Sequence, residues 1–474
     1  MSAQVKASIW FLICSFLQKG ISSITVPIFT RLLDTAEYGN YNVFNSWLGI
    51  VTVIVTLNLS AGVYTQGLVK FDKEKNIFMS SVPGLMTVMV ALWTVIYLLF
   101  HNFWNSIFSL TTVQMLAMLV MIWATAAFSF WAAEQRVQYK YVTLVIVTIA
   151  VSLAKPLVGI FFVIYSDDKV TARILGLALV EIIGYTGLFI SQMIRGKKFF
   201  SAKFWKYALL YNIPLVPHYL SQTVLSSADQ IMIKKMVGED EAGIYGLAYS
   251  VALIMTLFNT ALSQTISPWV YQKIKDKKVK EISSIAYVCL IIIAAVNVLL
   301  IAFAPEVVAI FAPEKYHAAI WVIPPVAMSV YFMFSYDLFA KFAFYCEKTG
   351  FIMTASILGA ALNLVLNYIF INKFGYVAAG YTTLICYIIY AAGHYIFMKR
   401  VCKMFLDNVK PYSLKMYLLI TVAFMCIGFF LIVTYNIPIV RYGFIVVFII
   451  VAVIFRKRII STVKQVMAVK KKKN

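Results

Sequence analysis

The stretch "TRLLDTAEYGNY" spans residues 30–41 and lies between two long apolar runs. A second stretch, "KKMVGEDEAGIY" at residues 234–245, has the same order of residue types. Each has a basic residue, two apolar residues, an acidic turn and then Glu-x-Gly-x-Tyr. The two copies are 204 residues apart. This repeat decides the fold, because it divides the chain into two halves whose helices can be matched in order.

The composition is that of a membrane protein. The chain has 474 residues, of which 62% are hydrophobic and 13% are charged, and its mean hydropathy is +0.86. A soluble globular chain has about 25% charged residues. In water, a chain this apolar would expose very large apolar patches. The composition therefore predicts an integral membrane protein.

Fourteen apolar runs predict about fourteen transmembrane helices. Each run is close to the roughly 20 residues that cross a hydrocarbon core. The runs are continuous and show no alternation of period two, which favours helices over a β-barrel. The predicted spans are residues 8–29, 41–63, 79–100, 111–131, 142–164, 173–194, 208–230, 244–266, 283–304, 319–340, 351–371, 377–398, 414–434 and 440–455.

The positions of the basic residues predict the orientation. If the N-terminus is cytoplasmic, 31 of the 41 Lys and Arg residues lie in cytoplasmic segments, against eight outside and two within spans. Such a bias predicts that both termini are cytoplasmic. It also explains the net charge of +22 and predicts attraction to anionic lipids, including by the "KKKK" at 470–473. Charge spread over short loops gives no support for nucleic-acid binding.

The repeat predicts how the helices are grouped. An offset of six spans is even, so the two copies have the same orientation in the membrane. They would form two parallel six-helix bundles related by a pseudo-twofold axis along the membrane normal, as in transporters that work by alternating access. The predicted domains are residues 1–200, residues 201–400, and residues 401–474, the last with two additional helices and a basic cytoplasmic tail.

The sequence gives no support for an enzyme or a cofactor. It has no P-loop, Gly-x-Ser-x-Gly or His-Glu-x-x-His motif. The six cysteines form no Cys-x-x-Cys pair and the four histidines are scattered, so neither a disulfide nor a metal site is predicted. A transporter, a channel and a structural membrane protein remain.

Three stretches in order carry a resemblance to a known family. They are "FLQKGISSITVPIFTRLLDTAEYGNYNVF" (16–44), "AGVYTQGLVKFDKEK" (61–75) and "EKTGFIMTASILGAALNLVLNYIFINKFGYVAAGYTTLICY" (347–387). Together they resemble the polysaccharide-exporter, or Wzx-type, family of oligosaccharide-lipid flippases. That family belongs to the multidrug/oligosaccharidyl-lipid/polysaccharide (MOP) superfamily.

The resemblance implies a flippase in the bacterial cytoplasmic membrane. Its substrate would be an undecaprenyl-pyrophosphate-linked oligosaccharide, carried to the outer leaflet by alternating access coupled to an ion gradient. The partners implied are membrane lipids, a polysaccharide polymerase and glycosyltransferases, and the state expected is a monomer. Two alternatives remain open. One is a multidrug or cation antiporter of the same superfamily, and the other is a non-transport component of polysaccharide assembly.

Two lysines within spans are the first candidates for substrate binding. Lys19 lies in the first span and Lys155 in the fifth. A charge at this depth is costly unless it faces a cavity or a partner. Either ammonium would suit the pyrophosphate of the implied substrate. The alternative for Lys155 is a structural ion pair with Glu181.

The other candidates are polar residues within or at the ends of spans. Pro214 and Pro217 predict a kink in the seventh span. Buried carboxylates can carry protons or bind Na⁺, interfacial cations can act in an outer gate, and amides can bond sugars or neighbouring helices. The predicted cavity residues are Asn45, Asn58, His218 and Asn259, the ion-coupling candidates are Glu181 and Asp229, and the outer-gate candidates are Arg31 and Lys235.

Overall fold

The computed structural model describes residues 3–348, 350–454 and 456. The chain divides into two compact units, unit 1 at Met1–Gly243 and unit 2 at Ile244–Asn474. The basic residues 470–473 lie outside the described residues. The three predicted domains stay a prediction.

In the described residues, unit 1 is built from α-helices joined by short turns. The helices α1–α10 are Ala3–Leu32, Thr35–Thr56, Val63–Lys70, Lys75–Leu99, His101–Phe108, Thr112–Val137, Tyr141–Ile164, Lys169–Gly196, Ala202–Asn212 and Val216–Met236.

The helix α11 begins in unit 1 and continues into unit 2, which is helical in the same way. The helices α11–α19 are Glu239–Leu253, Thr256–Lys275, Ile282–Ala302, Ala304–Phe311, Ile323–Tyr345, Gly350–Phe374, Val377–Phe405, Leu414–Val433 and Pro438–Ile454.

Ten segments of the described chain are long and apolar enough to cross a membrane. The prediction of an all-helical multi-pass membrane protein is therefore confirmed. Helices also occupy the other four predicted spans, but they are not among the ten. The number fourteen, the two six-helix bundles and the orientation stay predictions. The ten segments are Asp72–Leu99, Thr112–Val137, Tyr141–Ile164, Lys169–Gly196, Glu239–Lys275, Val279–Ala302, Ile323–Tyr345, Gly350–Phe374, Val377–Phe405 and Leu414–Asn436.

An aromatic cluster is part of the unit 1 core. The Tyr64 ring on α3 packs edge-on against Phe130 on α6, with ring centroids 4.6 Å apart. The Phe78 ring on α4 packs in the same way against Phe204 on α9, at 5.3 Å. Edge-to-face pairs stabilise by about 0.5–1.5 kcal/mol beyond the area they bury. The short helices α3 and α9 are thus held against the long ones.

Unit 2 is organised around α15, which packs against α12, α13, α17 and α18. Most of its side chains are buried. The Tyr331 hydroxyl shares a hydrogen bond of 3.0 Å with Thr421 on α18, and its ring lies 4.7 Å from that of Phe424. A charged residue on the inner part of such a helix needs a partner within the unit.

The first repeated turn, residues 30–41, is a capped helix start. The Asp34 side chain accepts from the Glu37 amide at 2.6 Å, and Glu37 accepts from the Asp34 amide at 2.8 Å. This reciprocal capping box satisfies two amide donors at the start of α2. In the second turn, α11 begins at Glu239.

The two turns pack against each other within unit 1 through Gly39 and Gly243. A Cβ on Gly39 would lie 2.1 Å from the Glu239 carbonyl oxygen, and one on Gly243 would lie 2.0 Å from that of Thr35. Neither glycine is required by a left-handed backbone. The positive-φ glycines of the described chain are Gly62 and Gly375. Gly39 and Gly243 are required because two helix backbones approach too closely for a side chain.

Three predicted spans differ from the helices observed. The second ends at Thr56 rather than residue 63, because Leu57 and Asn58 adopt left-handed backbone conformations. The prolines predicted to kink the seventh span interrupt it, since a tight turn at Ile213–Leu215 separates α9 from α10. The eighth is divided into α11 and α12 at residues 254–255.

Candidate functional site: two buried lysine–carboxylate clusters

The first cluster joins three helices of unit 1 at span depth. The Lys155 ammonium on α7 donates to Glu181 Oε1 on α8 at 2.5 Å, and the Thr125 hydroxyl on α6 donates to Glu181 Oε2 at 3.1 Å. We call these three residues the Lys155 cluster. The structure thus shows the ion pair that the sequence offered as the alternative for Lys155.

Close packing of α7 on α8 positions this cluster. A Cβ on Gly176 would lie 3.2 Å from the Cα of Gly159, one turn beyond Lys155. Small residues of this kind let membrane helices approach closely. The approach places α7 and α8 close enough for the two side chains to meet.

The two charges of the Lys155 cluster are unequally accessible. The Lys155 side chain is 30% exposed and that of Glu181 is 4% exposed. Of the three ammonium protons, one is used by Glu181 in the described structure. The cluster therefore exposes an ammonium with unused donors and buries its carboxylate. This arrangement suits an anionic ligand.

The second cluster lies in unit 2. The Lys341 ammonium on α15 donates to Asp337 Oδ2, one turn earlier on the same helix, at 2.5 Å. The Ser263 hydroxyl on α12 donates to the same oxygen at 2.6 Å, and Lys341 also donates to Ser263 Oγ at 3.0 Å. We call these three residues the Asp337 cluster. One turn before Ser263, the Asn259 amide donates to the Val330 carbonyl at 2.8 Å, a second link between α12 and α15.

The accessibility of the second cluster is the reverse of the first. The Lys341 side chain is 3% exposed, whereas that of Asp337 is 35% exposed. The cluster presents its carboxylate and buries its ammonium. Sequence reasoning missed it because the tenth predicted span ends at residue 340, which assigns Lys341 to a loop. The spacing of i and i+4, which places two side chains on one helix face, was the available signal.

A third buried ion pair was also missed. In unit 1, Arg195 on α8 donates to both oxygens of Glu134 on α6, at 2.5 and 2.9 Å. Gln192 and Gln138 donate to the same carboxylate at 3.2 and 3.1 Å. Glu134 is fully buried, so every interaction of its charge is with protein groups. Burial, and after it the charge of Glu134, raises the pKa of the neighbouring Tyr64 hydroxyl, which stays neutral.

The two predicted outer-gate cations bond to backbone carbonyls of unit 1. Arg31 donates to the Pro27 carbonyl at 2.7 Å on its own helix. Lys235 donates to the Ile107 carbonyl at 2.8 Å, and its ammonium lies 5.8 Å from the centre of the Trp47 ring. These contacts fix both side chains near the repeated turns, and their role in a gate stays a prediction.

The remaining predicted residues are dispersed. Lys19 is exposed on α1, and the Asn45 amide donates to the Tyr41 carbonyl of its own helix at 3.1 Å. Asn58 lies in the turn after α2, where its backbone is left-handed, and its place in a cavity stays a prediction. Asp229 on α10 is 1% exposed. In the described structure, the half-buried His218 has no hydrogen-bond partner at Nδ1.

These observations define a class of protein. It is a helical multi-pass membrane protein that keeps paired charges at span depth, and within the described residues no group of three His, Cys, Asp or Glu side chains is arranged for a metal ion.

The fold resembles that of solved transporters. A structure of the lipid II flippase MurJ, in an inward closed conformation, matches with a TM-score of 0.67 at 15% identity, over 95% of this chain and all of that one. An inward-facing multidrug resistance MATE transporter of the MOP superfamily matches with a TM-score of 0.60 at 12% identity, over 82% of this chain and 96% of that one.

The chain belongs to the polysaccharide biosynthesis protein family, which it matches over residues 5–273. The resemblance stated from the sequence is thereby confirmed. Residues 214–369 also match the MatE family. A similar protein, Lsg locus putative protein 1 of Haemophilus influenzae, is 22% identical over 75% of this chain and 88% of its own length. The probable low-salt glycan biosynthesis flippase Agl15 of Haloferax volcanii is 22% identical over 82% of both chains.

Proposed function

We propose that this protein is a flippase that moves undecaprenyl-pyrophosphate-linked oligosaccharide units from the cytoplasmic to the outer leaflet of a bacterial membrane. The units serve cell-surface polysaccharide synthesis, and transport is by alternating access coupled to an ion gradient. Family membership and the flippase named among its relatives support this proposal. The protein is a transporter rather than an enzyme, since its substrate crosses the membrane unchanged.

The Lys155 cluster is the observation that carries the proposal. A pyrophosphate needs cationic donors to leave water, and Lys155 offers an ammonium at span depth that is partly exposed. The ammonium is oriented by its hydrogen bond to Glu181, whose other oxygen accepts from Thr125. In the transport step, a phosphate oxygen accepts from the unused Lys155 donors while the lipid tail stays in the bilayer.

The proposal includes partners and location. Membrane lipids surround the protein, and a polysaccharide polymerase and glycosyltransferases act on the same lipid-linked unit after and before transport. A monomer with both termini in the cytoplasm is sufficient for this role. Arg31 and Lys235 act at the outer opening, and Lys19, Asn45, Asn58, His218 and Asn259 supply polar groups along the path.

The direct test is a flipping assay in proteoliposomes with a fluorescent polyprenyl-pyrophosphate oligosaccharide. Replacing Lys155 by Met should reduce the initial rate about 10- to 100-fold, which corresponds to the loss of a hydrogen bond to a charged group. The double variant Lys155→Met/Glu181→Met removes both charges and so avoids a buried unpaired carboxylate. It should fold like the wild type and still fail to flip.

A matched control is Lys169→Met. Lys169 is 38% exposed and lies 3.8 Å from the Glu37 carboxylate, so it resembles Lys155 in exposure and pairing but lies at a helix start. This variant should flip at the wild-type rate. A double variant that flips normally would remove Lys155 from phosphate binding. Wild-type protein that flips no lipid-linked oligosaccharide would contradict the proposed function.

Cation antiport is the second candidate function. The match of residues 214–369 to the MatE family and the exposed Asp337 carboxylate favour it. The same proteoliposomes distinguish the two functions, because an antiporter would exchange an organic cation such as ethidium for protons and would ignore the polyprenyl lipid. We expect lipid flipping and no ethidium exchange.

A further inference from the structure

Two cavities of unit 1 share the side chain of Asp168, the residue before α8. The larger has a volume of about 350 Å³ and lies over the junction between α7 and α8. The smaller has a volume of about 170 Å³ and lies beside the repeated turns. We call the two cavities together the Asp168 groove. Its described lining contains no member of the Lys155 cluster, so it is a separate feature of unit 1.

The larger cavity presents aromatic rings beside hydrogen-bonding groups. Phe161 and Tyr165 are 59% and 77% exposed, and their ring centroids lie 4.9 Å apart. The ring of Phe162 lies 6.2 Å from that of Phe161. The polar residues of this lining are Ser166, Asp168 and Thr171. An aromatic surface edged by hydroxyl and carboxylate groups suits a ligand that has an apolar face and several hydroxyl groups.

The smaller cavity is lined mainly by polar side chains that the fold holds in place. Lys234 donates to the Asn40 side chain, and its ammonium lies 3.2 Å from the Glu239 carboxylate. Gln114 donates to the Thr171 hydroxyl at 2.9 Å. Donors and acceptors that are already positioned lower the entropy cost of binding a ligand. The polar residues of this lining are Asn40, Ser109, Gln114, Asp168, Lys234 and Glu239.

Asp168 has a carboxylate oxygen available to a ligand. Its Oδ1 accepts from the Thr171 amide at 3.0 Å and so caps the start of α8. In the described chain, no hydrogen bond is made to Oδ2, and the residue is exposed. An ionised carboxylate is a strong acceptor for hydroxyl donors. The cap therefore fixes one oxygen and leaves the other for a ligand at the junction of the two cavities.

A sugar fits the groove better than a phosphate or an organic cation. Asp168 and Glu239 place two carboxylates beside the Lys234 ammonium, so a phosphate would be repelled. An organic cation suits the aromatic rings and Asp168, but Lys234 would repel it from the smaller cavity. A sugar ring has a C–H face that packs on aromatic rings, and its hydroxyl groups both donate and accept. It therefore satisfies both halves of the groove.

The groove lies within reach of a ligand bound at the Lys155 cluster. Phe162 is seven residues beyond Lys155 on α7, which is about 10 Å along the helix axis. Residues seven apart lie on nearly the same face of a helix. In the proposed substrate, the oligosaccharide is joined directly to the pyrophosphate. A ligand whose pyrophosphate contacts Lys155 can therefore place its sugars towards the groove.

We propose that the Asp168 groove binds sugar residues of the transported oligosaccharide, apart from the site at which Lys155 contacts the pyrophosphate. One sugar ring packs on Phe161 and Tyr165 and donates hydroxyl protons to Asp168. The next sugar exchanges hydrogen bonds with the polar side chains of the smaller cavity. The groove thus distinguishes glycans by their hydroxyl groups. This inference rests on the proposed flippase function and adds a glycan-recognition site to it.

The first experiment measures sugar binding without transport. Saturation-transfer NMR follows the methyl glycosides of glucose, galactose, N-acetylglucosamine and rhamnose with the full-length protein in lipid nanodiscs. At least one should bind the wild type, and Asp168→Asn should weaken that binding about tenfold, because a neutral acceptor replaces a charged one. Asparagine caps a helix as well as aspartate does, so the variant should keep the start of α8.

Asp167→Asn is the matched control for the carboxylate. Asp167 is also exposed, and it is not part of the described lining of either cavity. This variant removes the same charge one residue away, so it should bind the glycoside like the wild type. Equal loss of binding in Asp167→Asn and Asp168→Asn would show a general effect of charge and would overturn the assignment to Asp168.

The second experiment tests the aromatic half of the groove. Phe161→Leu/Tyr165→Leu keeps the surface apolar but removes the rings on which a sugar packs, and it should weaken glycoside binding about tenfold. Phe103→Leu on α5 is the control, because Phe103 is 59% exposed, like Phe161, and is outside the described lining. A groove that accommodates only lipid chains would tolerate leucine, so unchanged binding in the double variant would overturn the proposal.

The remaining outcomes separate the groove from the proposed function. Failure of all four glycosides to bind the wild type would overturn the groove, as would binding of tetraethylammonium in their place. Lipid flipping by that same protein in proteoliposomes would leave the flippase function standing. Glycoside binding that depends on Asp168, together with no lipid flipping by wild type, would support the groove and contradict the flippase function.

Discussion

The Lys155 cluster and the Asp337 cluster use the same three chemical groups, a lysine, a carboxylate and a hydroxyl, but expose opposite charges. In unit 1 the lysine side chain is 30% exposed and the carboxylate 4%, while in unit 2 the lysine is 3% exposed and the carboxylate 35%. The more exposed side chain of each ion pair determines which charge a ligand would meet. Unit 1 thus presents an ammonium and unit 2 a carboxylate.

The Glu134–Arg195 pair of unit 1 is the ion pair of the described chain to compare with the two clusters. Its carboxylate is fully buried and accepts from Arg195 and two glutamine side chains. The Arg195 side chain is 39% exposed, so this pair, like the Lys155 cluster, buries its carboxylate and exposes part of its cation. The two pairs of unit 1 differ in how many protein donors the carboxylate accepts from.

The largest effect should come from breaking the Glu134–Arg195 pair. Arg195→Met leaves the Glu134 charge buried without compensation, which costs about 3–5 kcal/mol. Equilibrium unfolding in mixed micelles measures the loss. Arg195→Met/Glu134→Gln should recover much of it, because no buried charge remains. A single variant as stable as the wild type would show that Glu134 is neutral in the folded protein.

Because the two clusters expose opposite partners, we expect the more destabilising substitution to be that of the lysine in unit 1 and that of the aspartate in unit 2. Removing the exposed partner leaves the buried charge uncompensated, so Lys155→Met and Asp337→Asn should each cost about 3 kcal/mol. Removing the buried partner leaves a charge that reaches solvent, so Glu181→Gln and Lys341→Met should cost less than about 1 kcal/mol. The same unfolding assay ranks all four variants. Equal costs within each cluster would contradict the difference drawn between the two units.

A smaller effect is expected where the repeated turns meet. Gly39→Ala places a methyl group 2.1 Å from the Glu239 carbonyl oxygen, and such overpacking costs about 1–3 kcal/mol. Gly187→Ala on α8 is the matched control, because no atom lies within 4 Å of its added Cβ. Helix propensity should make that control slightly more stable. If the two variants were equally stable, the close approach would not constrain residue 39.

The smallest effect should come from an exposed pair. Lys203 and Glu74 form an ion pair in unit 1, with side chains 57% and 44% exposed. Solvent screens such a pair, so Lys203→Ala should change the unfolding free energy by less than about 1 kcal/mol. A loss as large as that of Arg195→Met would show that burial does not rank the ion pairs of this protein.

Much of the fold could be predicted from the sequence, because continuous apolar runs of membrane length leave few alternatives to helices. The break between α9 and α10 was predictable from Pro214 and Pro217. The break at residues 254–255, by contrast, contains neither proline nor glycine. Tertiary packing determines where the helix breaks in this case, and the local sequence does not indicate it.

The candidate site was predicted in part. Lys155 and Glu181 were both candidates, and their ion pair was the stated alternative, because both lie well inside apolar runs, where charges are rare. Asp337 and Lys341 lie at the edge of a predicted span, where a charge is ordinary and the boundary uncertain by several residues. What the sequence does not show is that Lys341 is buried and bonded to Ser263 of α12, because burial of this kind arises only in the folded chain.

The contact between Gly39 and Gly243 has a consequence for how this sequence can change over time. Each helix backbone occupies the space in which the glycine of the other helix would carry its Cβ. A larger residue at either position would therefore force the two helices further apart. Substitutions at these two positions, although 204 residues apart, cannot be accepted independently. In a large set of related sequences, residues 39 and 243 should therefore both stay small or change together.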